Sequence, residues 1–137
     1  MRSHASKLMI LGFILLVTAV PALAHHSFAA EYDSNLPITL RGHVTKIDWT
    51  NPHVWIYMNV VDESGKLVNW GFEMGAPHQV QNQGWNRNTL KIGDEVIVAG
   101  SRARDASLMR MNARNVTWAA TGVKLGAASS EGATTAP

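Results

Sequence analysis

Residues 53–74 alternate apolar and polar side chains on either side of one short polar turn. No other feature of the chain restricts its fold as tightly. Val54, Ile56, Met58 and Val60 occupy every second position, with His53, Trp55, Tyr57 and Asn59 between them. Val68, Trp70, Phe72 and Met74 resume the rhythm after the turn. A period of two places one set of side chains on the core face of a β-strand and the other set on the opposite face. The turn, Asp62-Glu63-Ser64-Gly65-Lys66, reads as a hairpin with a three-residue loop and Gly65 in the left-handed position. It pairs Asp62 with Lys66, Val60 with Val68, Met58 with Trp70, Ile56 with Phe72 and Val54 with Met74. A slip of one residue would scatter these apolar groups over both faces, so the register is strongly specified.

The flanking segments extend the pattern. Ile38, Leu40, Gly42 and Val44 share a face, after which the apolar parity shifts to Ile47 and Trp49, predicting a bulge near Thr45-Lys46. Pro77 suits a first helical position and Gly84 the residue after a helix, so residues 77–83 are expected to form two turns. Asn86 caps a further single turn ending near Leu90. Gly93-Asp94 makes a turn before strands at 95–103 and 109–118. The prediction is an all-β domain with one short helix, a small five-stranded OB-like Greek-key barrel ordered β1-β2-β3-α-β4-β5. A small open β-sandwich is the alternative.

The ends read differently. Arg2 and Lys7 precede an apolar run from Leu8 to Val20, and Pro21 and Ala22-Leu23-Ala24 follow it. Residues 1–24 therefore read as a signal peptide cut between Ala24 and His25, placing the mature chain in the periplasm or outside the cell. The run falls short of the roughly 20 residues that span a bilayer, so no membrane span is expected after cleavage. Residues 25–37 form an N-terminal arm, 38–118 the barrel, and 119–137 a tail of Ala, Thr, Gly and Ser. With almost no large apolar group to bury, that tail is expected to be disordered. Without Arg2 and Lys7, the 12 basic residues become ten against ten acidic. A neutral domain lacks the electrostatic footprint of a nucleic-acid binder. The absence of cysteine excludes disulfides, a zinc ribbon, a thiol nucleophile and a lipid-modified cysteine.

The segments HHSFAAEYD, RGHVTKIDWTNPHVWIYM, NWGFEMGAP, QGWNRNTLKIGDEVIVAG and ARNV resemble a family of small secreted bacterial proteins catalogued only as a domain of unknown function. The resemblance covers nearly the whole mature domain. It implies an exported β-barrel and assigns no activity.

Nucleophile-elbow, zinc-protease, phosphate-loop and calcium-loop motifs are all absent, which favours a binding role over catalysis. The histidines carry the chemistry. Cleavage before His25 would give it a free α-amine with an ordinary pKa of about 7.7–8.0, which a metal can deprotonate. That amine and the His25 imidazole form a chelate, with His26 and His53 as further ligands. Such nitrogen-rich sites select Cu(II), the cofactor expected here. His53 follows Asn51-Pro52 in the turn before strand two, and Glu73 lies diagonally across the hairpin, placed to hold its imidazole. Phe28 and Tyr32 are the residues that would pin the arm to the barrel. His43 and His78 read as solvated. A second reading is a module binding a non-metal ligand or a protein partner through exposed Trp55 and Tyr57. A copper-dependent oxidase is a third, and it requires an open coordination position and a substrate surface. Trp70 falls on the core face, Trp85 plugs a barrel end, and Arg102, Arg104, Arg110 and Arg114 read as solvated edge charges.

Overall fold

A computed structural model describes residues 28–128. Among the described residues, a helical turn at 28–31 precedes these elements in order: β1 (Tyr32–Asp48), β2 (Trp55–Val61), β3 (Leu67–Glu73), α1 (Pro77–Asn82), β4 (Glu95–Ala103), β5 (Arg110–Trp118) and β6 (Lys124–Gly126). The sheet runs β3-β2-β1-β4-β5-β6 and closes on itself where β3 meets β5 in parallel. An antiparallel sheet closed by one parallel seam, with a helix between β3 and β4, is the OB-type barrel expected from the element order.

The β2–β3 hairpin forms in the expected register, with Val60 opposite Val68, Met58 opposite Trp70 and Ile56 opposite Phe72. Gly65 takes φ 81°, the left-handed conformation that its loop position demands. Asp62 organises the turn. Its Oδ1 accepts bonds from the Ser64 amide, the Ser64 hydroxyl and the Lys66 amide. These bonds, the Ser64 hydroxyl foremost, hold its carboxyl below the usual carboxylate range.

β1 is the axis of the barrel. It pairs with β4 from Tyr32 to His43 and with β2 from Gly42 to Asp48, so one long strand belongs to both halves of the sheet. The expected bulge lies between Val44 and Lys46. Phe72, Ile56, Met58, Met74, Met111 and Val98 are fully buried on the inner face, and Trp85 closes one end against Trp118 at 5.5 Å between ring centroids.

Two expectations need correction. Residues 32–37, read as part of a separate arm, are the beginning of β1, with Tyr32 opposite Ala103 and Pro37 opposite Ser101. This stretch pairs with β4 alone and is half exposed, so it lacks the apolar alternation that marks a doubly covered strand. The tail is also ordered as far as Ala128. β6 pairs with β5, the Ala127 amide donates to the Arg114 carbonyl, and Ala127 and Ala128 are buried. Composition misleads here because the contact is made by backbone. A Cβ at Gly126 would lie 2.4 Å from Gln83 Oε1, so a larger residue there would displace the end of the Gln83 side chain, which bonds the Ala128 carbonyl. The supposed signal at 1–24, residues 25–27 and residues 129–137 lie outside the described residues. Among the described residues, no helix is long and apolar enough to cross a membrane.

β4 and β5 approach closely at Gly100, beside their register shift. An added Cβ would lie 1.9 Å from the Asn112 carbonyl oxygen, which is backbone and cannot rotate away. Gly100→Ala is therefore expected to cost about 1–3 kcal/mol, read as a lowered urea midpoint with an unchanged slope.

Candidate functional site

The site is built around a buried carboxyl group. Glu73 ends β3, lies opposite Trp55 and is only 7% exposed. His53 leaves the β1–β2 turn just after the cis Asn51–Pro52 peptide. Its backbone position is set by the next residue: buried Val54 donates to the Gly75 carbonyl at 3.1 Å and accepts from the Met74 amide at 2.8 Å. The His53 ring then crosses the hairpin, and its Nδ1 pairs with Glu73 Oε1. Glu73 Oε2 accepts the Tyr32 hydroxyl. One carboxyl group thus ties the start of β1, the β1–β2 turn and the end of β3.

Each contact offsets a cost that the others create. A carboxyl removed from water is strongly penalised unless donors meet both oxygens. Tyr32 and His53 supply those donors, and bonds to a charged acceptor are stronger than neutral ones. Burial, and then the bond to Glu73, pushes the Tyr32 phenol far above its ordinary value. With Nδ1 engaged by Glu73, the imidazole keeps Nε2 as its remaining ring nitrogen.

Tyr32 also anchors the segment before it. The Phe28 ring lies 5.7 Å from the Tyr32 ring. Arg104 grips the same segment from the end of β4. Its backbone amide donates to the Glu31 carbonyl at 2.9 Å, its Nε to the Ala29 carbonyl at 2.6 Å, and its Nη1 pairs with Asp33 at 3.2 Å.

A groove of about 490 Å³ lies on the same face, between β3 and the β4–β5 loop. Trp55 and Tyr57 flank it with their rings 6.3 Å apart and 20° from parallel. Gly71 lies beneath both rings: a Cβ there would be 3.4 Å from Tyr57 and 3.5 Å from Trp55. The Arg110 guanidinium sits 4.9 Å over Trp55 and the Lys46 ammonium 5.1 Å over Tyr57. Asn69, Leu108 and Met109 complete the wall.

The sequence-derived candidates therefore separate into groups. His53 and Glu73 meet, and Trp55 and Tyr57 share one groove. His25 and His26 lie outside the described residues. His43 and His78 are exposed. Among the described residues, no three His, Cys, Asp or Glu side chains gather into a metal cage. Three of the four arginines, though partly or well exposed, have partners that the reading as solvated edge charges did not give them. Arg104 latches the chain start and Arg110 stacks on Trp55, while Arg102 lies 5.6 Å over Trp70 and donates to the Ala106 carbonyl. Their roles depend on β1 beginning at Tyr32 and on the β3–β5 seam, neither of which has a local sequence signal. The groove itself was legible only through Trp55 and Tyr57; the adjacent apolar pair Leu108-Met109 in a polar turn was a further signal left unused.

Parallel closure between β3 and β5, with polar and aromatic side chains gathered on the β2–β3 face, defines an OB-type barrel carrying a surface site. The chain belongs to DUF6152, a family of unknown function, which it matches over residues 13–115. No curated protein matches it. Among solved structures it is similar to the dimeric N-terminal domain of PriB protein from Thermoanaerobacter tencongensis, at 18% identity and a TM-score of 0.41. That match covers 61% of this chain and 96% of the other.

Tyr32→Phe leaves the ring and removes the donor to Glu73. It is expected to cost about 1.5–3 kcal/mol by urea denaturation and to speed amide exchange across residues 29–33. The sign with pH follows from the raised phenol pKa. The wild type keeps the Tyr32 contribution below the unfolded phenol pKa of about 10 and loses it as pH rises further. Tyr32→Phe should show a smaller alkaline loss over that range.

Proposed function

We propose that this protein is exported and binds Cu(II), with the His25 amine and imidazole, His26 and His53 Nε2 as the nitrogen donors. The observation that carries this reading is the engagement of His53 Nδ1 by a buried carboxyl. Ligating histidines characteristically have the second ring nitrogen held by a carboxyl, which fixes the tautomer and ring orientation and raises ligand basicity.

The anchoring of the chain start supports the same reading. Tyr32 shares the carboxyl that holds His53, and Arg104 secures residues 29–33 beside it. Only His26 and Ser27 separate His25 from Phe28, and those three Cα steps reach at most about 11 Å of extended chain. A terminal chelate alone would take up copper adventitiously. A third nitrogen already oriented on the barrel distinguishes a built site, and imidazole-rich sites favour Cu(II) over the other divalent ions. The chemistry proposed is capture of the ion, not turnover.

Export with the native leader, followed by mass measurement and Cu(II) titration with EPR detection, tests the reading. The expected mature chain starts at His25. His53→Ala is expected to remove one nitrogen from the EPR hyperfine pattern, and Glu73→Gln to weaken binding about 10–100-fold. One extra residue before His25 should weaken binding as well. Copper binding indifferent to His53→Ala and to that extension would reject the proposal.

A further inference from the structure

We propose that the groove between β3 and the β4–β5 loop binds the carboxyl-terminal segment of an extended polypeptide, adding it as a strand to the free edge of β3. The proposal stands apart from copper binding and uses different residues.

The free edge follows from the hydrogen-bond pattern. The Gly71 amide donates to the Met109 carbonyl, so the outward backbone groups of β3 at that residue point to β5. Strand alternation directs the amides and carbonyls of Asn69 and Leu67 to the same side. The β5 pairing, however, covers only Gly71 to Glu73. Residues 104–109 swing away as a loop, and the gap they leave is the groove. Asn69 lines it and is exposed, and Leu67, two residues earlier on the same edge, is exposed as well. A strand edge offers donors and acceptors in alternation, and a second main chain meets both at once.

Arg110 sets the direction of the guest. It stands at the closed end of the gap, opposite Gly71. Its guanidinium carbon lies 4.9 Å over the Trp55 ring, and a guanidinium that stacks on an aromatic face keeps its edge donors, whose fork matches a carboxylate. The one ion pair of Arg110 within 4 Å among the described residues, to exposed Glu31 at 3.9 Å, is weak and replaceable by an incoming carboxylate, with Asp105 lining the neighbouring cavity. Leu108 and Met109, 42% and 41% exposed, offer apolar cover for the last side chain of the guest. A sugar would instead need open aromatic faces. Here Trp55 lies under Arg110 and Tyr57 under Lys46, and both rings pack on Gly71. The arrangement suits a peptide carboxylate better than a stacked pyranose.

The test uses the full chain, isotope-labelled, with EDTA present so that copper plays no part. A pool of octapeptides ending in leucine is added as free acids, as amides, and with the penultimate backbone nitrogen methylated. The free acids are expected to shift the amide resonances of Leu67, Asn69 and Arg110. Amidation, backbone methylation and Arg110→Lys are each expected to weaken binding about tenfold, with Arg110→Lys leaving the far-UV circular dichroism unchanged. Equal binding of acid and amide, no peptide binding, or oligosaccharides shifting the same resonances would each overturn the proposal.

Discussion

Three residue pairs close this barrel. Gly71, Phe72 and Glu73 of β3 meet Arg110, Met111 and Asn112 of β5, and elsewhere the two strands diverge. The middle pair points inward and joins fully buried Phe72 to fully buried Met111 in the core. The outer pairs place Glu73 at one end of the seam and Arg110 at the other. Closure of the sheet therefore also fixes a carboxyl group and a guanidinium on the outer face. The shortness of the seam has a further effect, because β3 continues past its partner and leaves an open edge with a groove alongside.

Glu73 shows how a local cost becomes a long-range constraint. A buried carboxyl destabilises a fold unless donors are fixed in place around it. Its donors come from distant parts of the chain: Tyr32 from the start of β1 and His53 from the next turn. Each makes sense only with the other present, since either alone would leave one oxygen unmet. The arrangement couples the order of the chain start to the orientation of an imidazole, which is the coupling a multidentate site with a terminal ligand requires.

Much of the fold was legible because the β2–β3 hairpin is covered on one face and solvated on the other. Its alternation, with Gly65 at the turn, leaves one register that buries Ile56, Met58, Phe72 and Trp70 together. The Glu73–His53 diagonal followed from that register. Other parts were hidden for physical reasons. Residues 32–37 pair on one side only, so their sequence carries no core pattern. Residues 124–128 are held by backbone hydrogen bonds, by Leu125 against the core and by buried Ala127, and a single large apolar group among small residues is a signal that composition does not separate from disorder. The partners of Arg104 and Arg110 lie about 70 and 40–80 residues away in sequence, beyond the range of any local motif.

The two proposed sites share one design. His53 stands at the entry to β2, Glu73 at the end of β3, and Arg110 at the beginning of β5, so each functional group lies where a strand starts or stops. Strand ends combine two properties that strand interiors and free loops lack. The paired backbone holds the Cα to a fixed position, and the missing neighbour leaves room for a ligand. Trp55 links the two places, opposite Glu73 on one side and beneath Arg110 on the other. A substitution at Trp55 would therefore disturb both sites and could not assign a loss to either. Arg110 also pairs weakly with Glu31 of the chain start, whereas His53 lies outside the groove, so a loss of copper binding in a His53 variant with peptide binding intact separates the two readings.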